Sequence, residues 1–367
     1  MSIELFGGKM RIVISNTAAK VGGALEILNS LFYQVKRVAE TRKDIEWIFI
    51  LNDYIYDNSS QISIIKEETT TWISRLIYDY YRGARLINPL KPDLVINMQN
   101  TIIKNINCPQ FLYVHQAIPF QTNFRFSFFR KQERKLAVYQ YIIGYLIKQS
   151  IKKSDHVFVQ TNWMKSSIIS DVGVRENKIG VYSPAIIDTS FTKEEIHDEQ
   201  NKFIYPANDF IYKNHECIYK ANRILKMEYS DFRIILTTGK SINDINIECV
   251  GFIEKSKLMK LYSESTLIFP SFIETVGLPL LEASLLGAIV LVADCEYSRE
   301  ILSDYPNAYF FDPNRPTELA ALMKDVIENK IIRLPINLDL KNMDGWTEFI
   351  KFIIGVIDGK NENIMDN

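Results

Sequence analysis

The stretch from Ser265 to Gly287, S-T-L-I-F-P-S-F-I-E-T-V-G-L-P-L-L-E-A-S-L-L-G, admits few folds. Ser265 to Pro270 is an apolar run with the length of a buried strand, Gly277 permits a tight approach, and Pro279 suits a first helical turn, where no amide donor is lost. The segment therefore reads as strand, loop, helix. Amides of Val276, Gly277 and Leu278 would project from the helix start, where the dipole favours an anion such as a phosphate. Two carboxylates flank this turn, with Glu274 in the loop and Glu282 about one turn inside the helix.

The same alternation runs along the chain. Met10 to Ser15 is a short apolar run, followed by Gly22-Gly23 and the helical pattern A-L-E-I-L-N-S-L-F, the opening of a Rossmann-like unit. Glu46 to Leu51, Asp93 to Asn97, Phe111 to Val114 and Val157 to Gln160 read as further strands, with helical character over Ile73 to Leu86 and a Thr161-Asn162 cap before W-M-K-S-S-I-I. Around Ser183 to Phe191 the periodicity lapses into a charged stretch, which is the expected domain boundary. A second series begins at Lys202 to Tyr205 and continues through Phe232 to Thr237, Ile247 to Phe252, Thr266 to Pro270, Ala288 to Ala293 and Ala308 to Phe311. Strands alternating with helices imply parallel sheets covered on both faces. Trp346 to Ile357 is too apolar for a helix standing alone in water.

Composition bounds the rest. The chain has 367 residues, 47% apolar and 24% charged, with a net charge of -1. That suits a globular protein of two domains, and it leaves attraction to nucleic acid or membrane to local patches. Cys108, Cys217, Cys249 and Cys295 form no zinc or redox spacing, so a reducing cytosol is the expected compartment. The first residues carry an acid and no long apolar core, so no signal peptide is expected. Leu136 to Ile147, the longest lipid-like run, falls short of the roughly 20 residues a spanning helix needs.

The Glu274 to Glu282 spacing, with G-L-P-L-L-E-A inside it and G-A-I-V-L-V-A-D after it, resembles the signature of the retaining, GT-B-fold glycosyltransferases of family 4. The resemblance implies an α/β protein of GT-B plan: two Rossmann-like domains facing a central cleft, with the C-terminal helix crossing back to the first. Residues 1–185 with 345–358 would be the acceptor side, and 186–344 the nucleotide-sugar side. It implies that Glu274 contacts donor-sugar hydroxyls, that the Val276, Gly277 and Leu278 amides approach sugar and phosphate, and that Glu282 takes the ribose diol. An ionised carboxylate suits both tasks because it accepts two hydroxyl protons at once.

Further residues match the family pattern. In Y-P-A-N-D-F-I-Y-K-N-H, Lys213 matches the Lys that reaches the donor phosphates, where a fixed ammonium stabilises the departing diphosphate. Many members carry an Arg four or five positions earlier; this chain has Asn208 and Asp209 there, and Lys240 is the candidate substitute. His115, ending a strand in V-H-Q-A-I-P-F, matches the His that reaches the donor sugar from the first domain. Gly22 and Gly23 match the first-domain loop near the phosphates and acceptor. Neither a D-x-D motif after a strand nor a His/Cys cluster appears, which suits a family that needs no metal; no cofactor is expected.

Thr122 to Lys153 holds eight Lys or Arg against Glu133 alone, interleaved with Phe and Tyr. Such a surface suits an anionic lipid interface, and a solvated basic face is the plain alternative. The expected activity is hexosyl transfer from a nucleotide-sugar to a glycan or lipid-linked acceptor in bacterial O-antigen, capsule or other surface polysaccharide synthesis, at the cytoplasmic membrane face, with no nucleic-acid partner. A nucleotide-sugar-binding GT-B protein that is hydrolytic or without turnover is the alternative. An epimerase lacks a recognisable acid pair.

Overall fold

A computed structural model describes residues 9–19, 22–53, 56–121, 124–183, 199–336 and 345–359. The chain divides into two compact units, one of Met1–Phe128, Arg134–Ala185 and Met343–Asn367, the other of Phe129–Glu133 and Ile186–Asn342. The expected boundary stretch lies, over 184–198, outside the described residues.

In the first unit seven strands form one parallel sheet: β1 (Met10–Asn16), β2 (Ile45–Leu51), β3 (Ile62–Lys66), β4 (Leu94–Asn97), β5 (Gln110–Tyr113), β6 (His156–Val159) and β7 (Ile179–Val181). Their order is β3-β2-β1-β4-β5-β6-β7, and Val13 of β1 pairs with Ile48 on one side and Val95 on the other. The two edge strands, β3 and β7, escape the sequence reading because they are short and partly exposed, so neither writes a long apolar run. Helix α1 (Gly23–Ala39) comes after β1. Helices α2 (Trp72–Ile77) and α3 (Gly83–Ile87) flank a π-helical turn at Tyr78–Arg82, and α4 (Arg134–Ala137) and α5 (Gly144–Lys153) flank another at Val138–Ile143. Helix α6 (Asn162–Val172) has Thr161 as its N-cap residue, where the sequence places it.

Both π turns end at a glycine. A Cβ on Gly83 would come 2.7 Å from Ile103 Cγ2, and one on Gly144 would come 3.0 Å from Pro119 Cβ. The extra residue of a π turn rotates the next stretch of helix, and here the residue turned onto the packed neighbour has no side chain.

The second unit holds β8 (Lys202–Tyr205), β9 (Arg233–Leu236), β10 (Ile247–Cys249), β11 (Thr266–Phe269), β12 (Val290–Ala293) and β13 (Ala308–Phe311), parallel in the order β10-β9-β8-β11-β12-β13. Helices α7 (His215–Leu225), α8 (Lys255–Glu264), α9 (Leu278–Leu285), α10 (Glu296–Ile301) and α11 (Pro316–Ile327) connect them. Central strands β11 and β12 are buried along their whole length, as a sheet covered on both faces requires. Helix α12 (Gly345–Ile357) returns to the first unit, where Trp346, Phe349, Ile350 and Ile353 join its core beside Tyr113 and Phe158. Gly345 admits the return: a Cβ there would clash with the Ser183 backbone. In each sheet the strand order reverses once, between β1 and β4 and between β8 and β11. These are the switch points at which such sheets open a crevice at their carboxyl ends.

His156 opens β6 with both ring nitrogens buried and unpaired, among Phe111, Phe158 and Phe352. Burial, with Lys178 adding, pushes its pKa down to about 4. The imidazole is therefore neutral when folded and takes up a proton on unfolding at mildly acid pH, so stability falls as pH drops from about 6.5 towards 4. By pH 5 this one group costs about 2 kcal/mol relative to pH 7. We predict that His156→Leu flattens the acid limb of the stability curve by that amount, measured by urea unfolding at pH 7 and pH 5; equal pH dependence in both proteins would refute it.

Candidate active site

Two loops leave the sheet at the β8/β11 switch point and are stitched together. The Tyr205 hydroxyl donates to Lys213 O at 2.7 Å, Phe272 N donates to Tyr212 O at 2.8 Å, and Tyr297 OH donates to Ser271 O at 2.6 Å. Asn214 takes a left-handed backbone (φ 58), which asparagine and glycine tolerate best, and its amide donates to Pro270 O at 3.2 Å and Pro313 O at 2.9 Å. That conformation explains why a Gly or Asn suits the place after the lysine.

So held, Lys213 Nζ donates to Glu274 Oε1 at 2.5 Å, with both side chains mostly buried. The structure thus brings together the expected phosphate-side cation and the expected sugar-side carboxylate. Glu274 precedes Val276, which is buried, and Gly277, whose φ of 73 makes it the left-handed entry to α9. A Cβ at Gly277 would also press on Leu280 at 3.2 Å, so glycine is required there by conformation and by space. Leu278 is the first residue of α9, so its amide has no acceptor within the helix.

Glu282, one turn on, is only 5% exposed and forms an ion pair with Lys255, the first residue of α8. Burial and the Glu282 carboxylate together hold the Tyr262 phenol in its protonated form. Lys255 is not singled out by the sequence. It stands 27 residues before its partner, and only the packing of α8 against α9 makes the pair.

The loop after β8 carries a second group of charges. Asn208 accepts from Phe210 N at 3.3 Å, and Asp209 accepts from the Thr238 hydroxyl. Lys240 lies 3.7 Å from Asp209, is largely exposed, and donates its amide to Thr238 Oγ1. His215, buried at the start of α7, has its pKa pushed down to about 4 by burial, with Lys240 and Lys213 lowering it further against Asp209. Lys240 therefore acts on the same neighbourhood as Lys213.

The first unit's candidates lie at its own carboxyl edge. Gly22, the N-cap of α1, has φ 67 and ψ -154, a conformation open essentially to glycine alone, and Gly23 begins the helix. His115 stands just after β5; its amide donates to Asn100 Oδ1 at 2.7 Å, and its Nδ1 is buried without a partner. Burial and the Arg75 charge push its pKa down to about 4, so the ring is neutral at pH 7 and serves as a hydrogen-bonding group. Around it the sequence reading misses Arg75, Asp79, Gln99 and Thr101, polar residues inside or beside helical and strand patterns. Among the described residues no three His, Cys, Asp or Glu side chains gather as a metal site.

Known proteins resemble this chain in sequence and fold. Residues 186–338 match the family model for glycosyl transferases group 1. The O-antigen chain mannosyltransferase RfbU of Salmonella typhimurium is 24% identical over 265 residues, covering 68% of this chain and 69% of that protein. HepE of Anabaena, solved with UDP and glucose, superposes with a TM-score of 0.63 at 13% identity, covering 95% of this chain and 99% of its own. The lipopolysaccharide outer core galactosyltransferase WaaB superposes with a TM-score of 0.61 at 13% identity, covering 96% and 100%. The fold is GT-B. With the family match over the second unit, it supports a GT-B glycosyltransferase.

Within this GT-B second unit, the Lys255 and Glu282 pair yields a direct test. Lys255→Met strands a buried carboxylate and should cost about 1 to 3 kcal/mol. Adding Glu282→Gln to that variant should restore most of the loss. A urea double-mutant cycle measures both; additive effects would mean the two side chains act independently.

Proposed function

We propose that the chain is a retaining glycosyltransferase of family 4 type, moving a hexose from a nucleotide-sugar to a glycan or lipid-linked glycan with retention at the anomeric carbon. The observation that carries the proposal is the contact of Lys213 with Glu274 at the β8/β11 switch point, with Glu282 buried one turn into the next helix. In this reading Lys213, Lys240, Asn208 and the Val276, Gly277 and Leu278 amides receive the diphosphate, Glu282 the ribose diol and Glu274 the sugar hydroxyls. On the first unit, His115 offers a neutral hydrogen-bonding group for the sugar, and Gly22 and Gly23 a loop with room for phosphate and acceptor.

The step is electrostatic. As the sugar bond to phosphate breaks, negative charge builds on the leaving diphosphate, and the ammonium of Lys213, drawn to it from Glu274 when the donor binds, stabilises that charge. No divalent ion is assigned. The O-antigen and lipopolysaccharide names of the similar proteins support a role in bacterial surface polysaccharide synthesis.

Glu274→Ala should mainly lower turnover, and Glu282→Ala should mainly weaken donor binding. Each lost charged hydrogen bond is worth about 1.5 to 3 kcal/mol, roughly 10-fold to 150-fold. The assay is a panel of UDP-, GDP- and dTDP-sugars with and without EDTA. Wild-type kinetics in both variants would remove the site assignment, and loss of activity in EDTA that Mg²⁺ restores would remove the metal-free account. The alternative, a hydrolytic or non-turning-over nucleotide-sugar binder, draws on Asp209 standing where an arginine is common. Diphosphate release without any glycosylated product would favour it.

A peripheral place at the cytoplasmic membrane face is also proposed. The α4 to α5 segment buries Leu136, Ala137, Ile147 and Ile151 and exposes Tyr139, Tyr141, Ile142 and Tyr145, with exposed Arg134 and Lys135 at one end and Lys152 and Lys153 at the other. Amphipathic helices of this kind bind anionic lipid interfaces, each cation contributing about 1 kcal/mol. Among the described residues no helix is long and apolar enough to cross a membrane. Wild type should cosediment with anionic liposomes and dissociate as salt rises, and changing those four cations to Ser should abolish binding. Equal binding by the folded variant, or none by either protein, would leave a solvated face.

A further inference from the structure

Among the described residues Arg75 makes no direct ion pair, although the Asp79 charge acts on it. It sits in α2, over residues that come after the carboxyl ends of β4 and β5, where open α/β sheets bind ligands. Its side chain makes one weak hydrogen bond, from Nη2 to Thr101 Oγ1 at 3.5 Å. The carboxylate that could have served, Asp79, is engaged elsewhere. It is almost fully buried and accepts from Gln99 Nε2 at 2.7 Å and from the Thr101 hydroxyl at 2.7 Å. Burial pushes its pKa up to about 6, against the Arg75 charge and these two hydrogen bonds, which favour its ionised form.

A guanidinium has five donors in a planar fork, and leaving most of them idle in a partly desolvated place is costly. Burial accordingly lowers the Arg75 pKa. His115, close enough for its own pKa to feel Arg75, adds a buried Nδ1 without a partner. A guanidinium with one weak hydrogen bond and an imidazole with one unpaired nitrogen thus stand at one edge of the sheet. Tyr139, half-exposed, lies within electrostatic reach of Arg75.

We propose that Arg75, held by Thr101, binds an oxyanion carried by the acceptor, a phosphate or a carboxylate on the glycan or its lipid link. The proposal rests on the reading that the first unit serves the acceptor. Planar bidentate recognition of phosphate and carboxylate is the chemistry in which arginine exceeds lysine. Asp79 offsets the charge through space but, among the described residues, accepts no hydrogen bond from the guanidinium, so most of that planar fork is left for a ligand.

The test uses the full-length protein and inorganic phosphate as probe, with His115 as reporter. An anion bound beside an imidazole favours its charged form, so phosphate should raise the His115 titration midpoint, followed by NMR, in wild type. Arg75→Met should weaken that phosphate response about 10-fold to 100-fold, Arg75→Lys should retain part of it, and UDP binding should be unchanged in both. Absence of any phosphate effect on His115 in wild type would overturn the proposal, whatever the variants do. If UDP displaces phosphate and Arg75→Met loses both, the oxyanion is the donor's own and the acceptor assignment fails. Donor binding that fails with Glu282→Ala but not with Arg75→Met keeps the donor-site reading separate from this one.

Discussion

A parallel sheet whose strand order reverses cannot keep its carboxyl edge closed. Connections to the left and right of the reversal leave in opposite directions, so the loops after the two central strands part and expose backbone amides and whatever side chains stand there. This chain builds that geometry twice, at β1/β4 and at β8/β11. Lys213 and Glu274 come from the two loops at the second reversal, and Gln99, Asn100 and Thr101 come just after β4 at the first. Chemistry is therefore concentrated at two places by topology, before any side chain is chosen.

How those loops are fixed differs between the units. In the second, tyrosine hydroxyls and Asn214 bind backbone carbonyls, so loop shape survives changes in neighbouring side chains. Each candidate carboxylate has a lysine: Lys213 for Glu274 and Lys255 for Glu282. In the first, side chains bind side chains. Asp79, Gln99, Thr101 and Thr17 form a buried polar chain that fixes helix α2 with its π turn to the sheet edge. A network of that kind changes as a whole when one member changes.

Legibility depends on the physical signal each element writes. Strands buried on both faces, such as Thr266 to Phe269 and Lys202 to Tyr205, appear as apolar runs and are readable nearly to the residue. Ile62 to Lys66 and Ile179 to Val181 lie at the sheet edge, partly exposed, and leave no such run. Candidate site residues carried by one short segment, Glu274 and Glu282, can be picked out by their spacing. Lys255 and Arg75 are not, because a lysine or arginine in a helical pattern reads as a solvated charge until the fold shows what it faces. His156 is likewise unremarkable in sequence; only its neighbours Phe111, Phe158 and Phe352 reveal a core imidazole without partners.

The missing arginine acquires a physical meaning once charges are placed. Around the loop after β8 stand Lys213 and Lys240, opposed by Glu274 and Asp209 at 2.5 and 3.7 Å. The neighbourhood is therefore near neutral before any donor arrives, whereas an added arginine would make it cationic. In the proposed reading, a diphosphate gains little from the surrounding field and must compete with Glu274 for Lys213. That competition couples two events. When phosphate draws the ammonium away, Glu274 loses its partner and its oxygens become free to accept sugar hydroxyls. Donor binding itself then readies the carboxylate beside the reacting sugar, and a nucleotide without a sugar would leave that carboxylate desolvated and unpaired, a cost that favours release of the spent diphosphate.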